Sequence, residues 1–189
     1  MPIAFKEWSL VCDALGSGQQ SIILRKGGIA EGRDGFQFKH REFFLFPTHF
    51  HEQEKHLRLP EGSGDGVADI VDGEREHITV EYFAELVDTR VITDWEEVRK
   101  LEPLHLWTED TVRDRFDYED CPGISLALVR VSRLCRPWNF PNEKRYGGCR
   151  SWVEIPEPPA DAFAEKVPVL GESAFAEVAA ALGAKASAG

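Results

Sequence analysis

Two short segments of this chain combine basic side chains with a pair of glycines beside apolar residues. The first is Arg25-Lys26-Gly27-Gly28, which directly follows an apolar segment. The second spans residues 144–152 and reads Lys-Arg-Tyr-Gly-Gly-Cys-Arg-Ser-Trp. Glycine lets a backbone approach a ligand closely, while Lys and Arg bind phosphate oxygens. The two segments therefore predict an anion-binding surface if they meet in space.

The distribution of charge supports a local basic surface on an acidic protein. The net charge is −11, which excludes a wholly basic nucleic-acid binder. Residues 61–120 contain 19 acidic and six basic side chains, whereas residues 121–150 contain one acidic and six basic side chains. An alternative interpretation is that these charges cluster in the sequence and lie scattered over a solvated surface.

Aromatic residues near these segments favour nucleic acid as the anion, because an exposed ring stacks a base with about 1–3 kcal/mol. The alternative is that the tryptophans belong to the core. The predicted nucleic-acid-binding residues are Arg25, Lys26, Gly27, Gly28, Lys39, Arg41, Trp107, Arg145, Arg150 and Trp152.

A histidine pair gives a weaker indication of metal binding. His49 and His51 lie on one side of an extended segment, and Glu52 follows directly. Metal sites that use an H-x-H pair usually add an Asp and more distant ligands, and no Asp occurs between His51 and Asp65. Ordinary polar histidines explain the pattern better, so we expect no metal and no cofactor.

Catalytic alternatives rest on single residues. Cys149 follows two glycines near arginines, and positive charge favours a thiolate nucleophile that His51 or His105 would assist. A packed thiol is the simpler interpretation. The chain contains no G-x-S-x-G, P-loop or G-x-G-x-x-G motif and no E-x-K triplet. A non-catalytic protein is therefore favoured.

The elements that position these residues are mostly strands. Alternation from Glu7 to Ala14 predicts a strand that forms a hairpin with residues 21–25. Further strands are predicted at residues 43–46, 77–92, 123–134 and 149–155. Asp94 and Thr108 are typical N-caps of short helices.

These elements predict an α+β fold around a curved mixed or antiparallel sheet or partial barrel, with a few short helices. Residues 1–157 would form one α+β domain. Residues 158–189 would form a proline-rich linker and an amphipathic C-terminal helix that packs on the domain. By analogy, PUA-like domains read modified or exposed bases at the mouth of such a small curved sheet.

The location follows from what the sequence lacks. No apolar run approaches the roughly 20 residues of a membrane helix. The first residues lack the apolar core of a signal peptide. The four cysteines have no zinc-site spacing. We expect a cytoplasmic protein with no membrane partner.

The chain resembles the family called domain of unknown function 1802 over roughly residues 3–157. The motifs that carry the resemblance are Lys6-Glu7-Trp8, Leu24-Arg25-Lys26-Gly27-Gly28-Ile29, Phe44-Leu45-Phe46-Pro47-Thr48 with His51, residues 101–108 (LEPLHLWT) and residues 146–152 (YGGCRSW). Some members resemble partners of restriction-endonuclease-like domains. The resemblance thus implies DNA restriction–modification work and a separate nuclease or other protein subunit as partner. It assigns no catalytic residues.

Three functions remain in order of preference. The first is a non-catalytic nucleic-acid-binding module, with a modified or extruded base as one form of its ligand. The second is a small metal- or Cys/His-dependent hydrolase or nuclease. The third is a protein-interaction subunit whose acidic middle contacts a basic partner.

Overall fold

A curled seven-stranded sheet of mixed direction organises the chain. The computed structural model describes residues 1–26, 36–49, 52–59, 75–118 and 122–184, so Gly27, Gly28 and His51 lie outside the described residues. The strands are β1 (Ile3–Trp8), β2 (Ile22–Arg25), β3 (Glu42–Thr48), β4 (His77–Ile92), β5 (Ile124–Pro141), β6 (Trp152–Glu154) and β7 (Lys166–Pro168). Their order is β2-β5-β4-β3-β1-β6, and β7 also pairs with β5. β1 and β3 run parallel, and the other pairs are antiparallel.

The long pair of β4 and β5 gives the sheet its curl. Its register shifts between Val80 and Tyr82 and again between Leu86 and Asp88. Such irregularities bend a strand and increase its twist. The bending brings β2, at one end of the sheet order, towards β1, where the Arg25 guanidinium donates to the carbonyl of Lys6 at 2.6 Å. The predicted α+β fold with a curved sheet or partial barrel is confirmed.

Short helices cover the sheet. They are α1 (Ser9–Gly16), α2 (Trp95–Arg99), α3 (Glu109–Phe116), α4 (Ala160–Phe163) and α5 (Glu172–Ala181). Asp94 caps α2 by accepting from the Glu96 N–H at 2.9 Å, and Thr108 caps α3, as the sequence predicts. In the parts of the chain that the structure describes, no helix has the length and apolar character needed to span a bilayer.

The predicted N-terminal hairpin is wrong. β1 ends at Trp8, and helix α1 replaces the expected strand. Val11, Cys12 and Leu15 have helical spacing, and all three are buried in the core, so this face of the segment satisfies packing as a helix. β2 pairs with β5 instead of with the segment before it.

Both faces of the sheet are packed. One buried cluster includes Phe5, Phe43 and Leu45 and extends to Trp107, while the other includes Phe44 and Phe46. Alternate residues of β1 and β3 thus supply opposite faces, as expected for a strand that is buried on both sides. The division of the chain at residue 157 stays a prediction, and the C-terminal helix α5 buries side chains in the first cluster.

Candidate nucleic-acid interface

The first basic Gly-Gly segment begins inside the fold. Arg25 lies 3.9 Å from the Glu7 carboxylate and 5.1 Å from the centre of the Phe5 ring, in addition to its bond with the Lys6 carbonyl. Lys26 donates to the carbonyl of Phe116 at 3.3 Å. Both cations therefore bind protein groups at the junction of β2 with β1 and α3, and Gly27 and Gly28 lie outside the described residues.

The second segment contacts the same strand at the same residue, Lys6. The Lys6 ammonium donates to the carbonyls of Tyr146 at 2.8 Å and Gly148 at 2.9 Å. The Lys6 N–H donates to the carbonyl of Ser151 at 2.8 Å. Gly148 has a φ of 82°, a left-handed conformation that favours glycine. Arg25 and residues 146–151 thus both bind Lys6 of β1.

Trp152, which ends the second segment and begins β6, contacts a further basic segment, residues 37–41. Its ring lies 4.9 Å from the Phe5 ring and 4.9 Å from the His40 ring, and its indole N–H donates to the carbonyl of Gln37 at 3.4 Å. Residues 37–41 therefore lie across Trp152. Phe5 contacts both Trp152 and Arg25, so the start of the first segment lies close to the Trp152 ring.

We call the exposed side chains on these two segments, together with half-buried Trp152, the Trp152 surface: Lys39, Arg41, Lys144, Arg145, Arg150 and Trp152. Arg145 pairs with Glu143 at 3.1 Å and donates to the Tyr146 hydroxyl at 3.0 Å. Arg150 donates to the Arg145 carbonyl at 2.7 Å. Within the described residues, the other three cations have no ion-pair partner.

Trp107 lies apart from this surface and is wholly buried. The guanidinium of Arg115 lies 3.6 Å from the centre of its ring, and Trp8 packs on it at 4.8 Å. Burial lowers the pKa of Arg115 to about 10, the Glu7 charge opposes this shift, and the Arg25 charge adds to it. Arg115 therefore stays charged at neutral pH. Trp107 presents no ring face to a base in this conformation.

The histidine and cysteine candidates lie at separate places. His105 is buried, and burial lowers its pKa to about 4, with Arg58 and Arg115 adding to the effect. Glu52 pairs with Lys55 at 2.5 Å, whereas His49 lines a pocket of about 270 Å³ beside α1. Cys149 is exposed at the Trp152 surface.

A metal site from His49, His51 and Glu52 stays untested, because His51 lies outside the described residues. Among the residues that are described, no three His, Cys, Asp or Glu side chains are grouped to hold a metal ion. The catalytic alternatives for His51, Cys149 and His105 likewise stay predictions.

The sequence interpretation missed one buried and one partly buried charge that organise the region. The Glu7 side chain is wholly buried, and Arg115 stacks on Trp107 beside it. Glu7 carried one available signal, because it lies between Lys6 and Trp8 in a predicted strand, where an acidic residue needs a partner if it is buried. Arg115 gave no such signal, since it belongs to a polar helix.

A model of the family described as "Domain of unknown function (DUF1802)" matches residues 4–181. The chain belongs to this family. The comparison with curated proteins found no match. Among solved structures, this DUF1802 protein is similar to ASCH from Zymomonas mobilis, with 13% identity, a TM-score of 0.46 and coverage of 82% of this chain and 88% of that one.

Two mutants of the same ASCH protein also match this DUF1802 chain. They are 12% and 13% identical to it, each with a TM-score of 0.47. They cover 82% of this chain, which covers 89% and 91% of theirs.

Proposed function

We propose that this DUF1802 protein is a non-catalytic nucleic-acid-binding module that contacts phosphates through the Trp152 surface. The observation that carries the proposal is the contact of Trp152 with Gln37 and His40. This contact joins two basic segments that are about a hundred residues apart in the sequence. Several cations that neutralise phosphates together would release counterions from the nucleic acid.

Three of these cations have no carboxylate partner within the described residues, and this supports the proposal. A cation already paired with a carboxylate gains less from a phosphate, because it must first give up its partner. Lys39, Arg41 and Lys144 are exposed and have no carboxylate partner within the described residues. By contrast, the acidic middle of the chain repels a phosphate backbone. The charge pattern therefore directs a polyanion to one region of the protein.

Arg25 and Lys26 have a positioning role in this proposal. Arg25 holds β2 against β1, and β1 holds residues 146–151 through Lys6. Removing Arg25 would act on binding through the fold rather than through a lost phosphate contact. The predicted association with a separate nuclease or other protein subunit stays a prediction.

The test is a salt-dependent binding titration with short single-stranded and duplex DNA and RNA, read by fluorescence anisotropy. If all five cations contact single-stranded phosphates, the slope of log K against log salt approaches about −3.5. The triple variant Lys144→Gln/Arg145→Gln/Arg150→Gln should reduce the magnitude of that slope by about 2.

The matched control removes the same number of charges elsewhere, in Lys55→Gln/Arg99→Gln/Lys100→Gln. These three side chains are exposed, and Arg99 and Lys100 belong to the acidic stretch of residues 61–120. The control should leave the slope unchanged. Equal losses in both triple variants would mean that net charge alone governs binding, and the Trp152 surface would then have no specific role.

A further inference from the structure

A second polar site lies between α1, the end of β3 and the start of β4. It is the pocket of about 270 Å³ that His49 lines, and we call it the Asp13 pocket. Its polar lining includes Asp13, Arg75, His77, Thr79 and Glu81, and its apolar lining includes Leu45, Pro47, Ile78 and Tyr82. A concave site with apolar walls and a few polar groups is typical of small-ligand binding.

One side of the pocket is rich in hydrogen-bond acceptors. Asp13 and Glu81 both line it, and each carries a carboxylate. Burial by the pocket walls raises the pKa of Asp13, the charge of Glu81 adds to this effect, and His49 opposes it. Carboxylates accept hydrogen bonds, and the His49 imidazole opposes the pKa shift of Asp13 only in part. The two neighbouring carboxylates therefore favour a ligand that brings N–H donors.

Arg75 lines the same pocket and favours a hydrogen-bond acceptor, rather than a donor, on the ligand. Its Nε atom is buried and has no hydrogen-bond partner among the described residues. The Arg75 guanidinium carries only hydrogen-bond donors, so an acceptor at this wall of the pocket would bind it. Thr79 is already engaged, because its hydroxyl donates to the Asn139 side chain at 2.6 Å. The pocket therefore fits a small molecule that carries both N–H donors and a hydrogen-bond acceptor.

The pocket adjoins the Trp152 surface through a short hydrogen-bonded link. The Asn142 side-chain amide donates to the Arg75 carbonyl at 3.0 Å, and the Asn142 N–H donates to the Glu76 carbonyl at 2.8 Å. Lys144 follows Asn142 by two residues. A nucleic-acid strand whose phosphates lie near Lys144 would therefore pass close to the mouth of the pocket.

We propose that the Asp13 pocket receives one unstacked nucleobase that carries an exocyclic amino group, from a strand bound at the Trp152 surface. The amino group would donate to Asp13 and Glu81, and a ring nitrogen or carbonyl of the same base would accept from Arg75. The flat faces of the base would contact the apolar walls. This inference rests on the proposed function, since the strand is held by the cations of the Trp152 surface.

Adenine, cytosine and guanine carry an exocyclic amino group beside an acceptor, whereas thymine and uracil present carbonyls in its place. The pocket should therefore discriminate among bases, and the phosphate contacts should not. A free amino acid also combines an N–H donor with an acceptor. The position of the pocket beside Lys144 favours the base, and the experiment includes free amino acids as a competing ligand.

The experiment uses an oligothymidylate in which the central residue is thymidine, cytidine, adenosine or an abasic site. The full chain should bind the cytidine and adenosine versions about tenfold more tightly than the thymidine and abasic versions. Asp13→Ala should remove this preference and keep the salt slope. Asp114→Ala, on the exposed face of α3, is the control and should keep both.

Each remaining outcome contradicts the inference in a distinguishable way. Equal affinity for all four oligonucleotides would overturn the base pocket and leave the proposed function standing, as would a base preference that survives in Asp13→Ala. A pocket that binds free glycine or arginine, and neither cytidine nor adenosine, would make it an amino-acid site instead. Failure of every oligonucleotide to bind at low salt would overturn the proposed function and, with it, this inference.

Discussion

Arg25 and Glu7 form an ion pair that joins two strands which are not hydrogen-bonded neighbours in the sheet. Their nearest charged atoms are 3.9 Å apart, and the Glu7 side chain is wholly buried. One oxygen of Glu7 accepts from the Trp8 N–H at 2.9 Å, and the other has no partner among the described residues. A side-chain pair therefore closes the curled sheet where strand pairing does not.

This closure should be visible in a double-mutant cycle on unfolding free energy. Arg25→Met leaves the buried Glu7 charge without its nearest partner, so we expect a loss of about 3 kcal/mol. Glu7→Gln/Arg25→Met should lose clearly less than the sum of the two single variants. Urea unfolding of the four proteins measures the coupling.

The exposed pair of Arg136 and Asp161 is the control for this cycle, since both side chains are more than half exposed. Its coupling should stay below about 1 kcal/mol. If the Arg25 and Glu7 variants were additive within about 0.5 kcal/mol, the pair would not hold the strands together.

The buried histidine predicts a pH dependence of folding. His105 has a pKa of about 4 in the fold, against 6.5 for an ordinary histidine. Between these values the unfolded chain binds a proton that the folded chain does not. The stability is therefore fully present above about pH 6.5 and is lost as the pH falls towards 4.

The size of this loss is about 3 kcal/mol for His105 alone. Unfolding free energies at several pH values, for the wild type and His105→Gln, isolate it by subtraction, since glutamine does not titrate. The unfolding free energy of the wild type minus that of the variant should increase as the pH rises from 4 and become constant above 6.5. Parallel curves over that whole range would show that His105 titrates normally in the fold.

A close approach at the end of α1 predicts a specific steric effect. A Cβ atom added at Gly16 would lie 2.1 Å from Cζ of Tyr82, whose ring is buried. Gly16→Ala should therefore destabilise the protein by about 1–3 kcal/mol, although alanine favours helices. At Gly171, the N-cap of α5, an added Cβ meets nothing within 4 Å, so Gly171→Ala should cost only the poorer cap, less than about 1 kcal/mol. Thermal unfolding that ranks the two variants equally would contradict the contact.

The local signals in the sequence predicted the local structure, and the site depended on distant contacts. The caps at Asp94 and Thr108, the strand β4 and the first part of β5 follow from short-range patterns, whereas β5 continues to Pro141, past its predicted end at residue 134. Helix α1 was missed because apolar residues at positions 8, 10, 12 and 14 also fit a strand. Only packing distinguishes the two periods in so short a segment.

Short-range patterns also fail to predict which residues of the basic segments reach the surface. Arg25 resembled a surface cation, because the Glu7 carboxylate that it meets is brought to it by the curl of the sheet. Trp107 and Trp152 are both tryptophans beside polar residues in the sequence. The fold buries Trp107 under Arg115 and leaves Trp152 half-buried at a surface. Which aromatic ring reaches solvent is a tertiary property.

Lys6 offers a test of how the second Gly-Gly segment is positioned. Its ammonium binds the carbonyls of Tyr146 and Gly148, so Lys6→Met should loosen residues 144–151. Amide hydrogen exchange in that segment should become faster, and affinity for nucleic acid should fall with little change in the salt slope. Lys55→Met is the control and should leave the exchange of that segment unchanged. Unchanged exchange in Lys6→Met would exclude this positioning role.

The salt slope of nucleic-acid binding tests the central claim most directly. Anisotropy titrations from about 50 to 200 mM salt should give a steep slope for the wild type. The slope should be about 2 smaller in magnitude for Lys144→Gln/Arg145→Gln/Arg150→Gln and unchanged for Lys55→Gln/Arg99→Gln/Lys100→Gln. No binding at the lowest salt, or the same slope in the wild type and the first triple variant, would contradict phosphate recognition by the Trp152 surface.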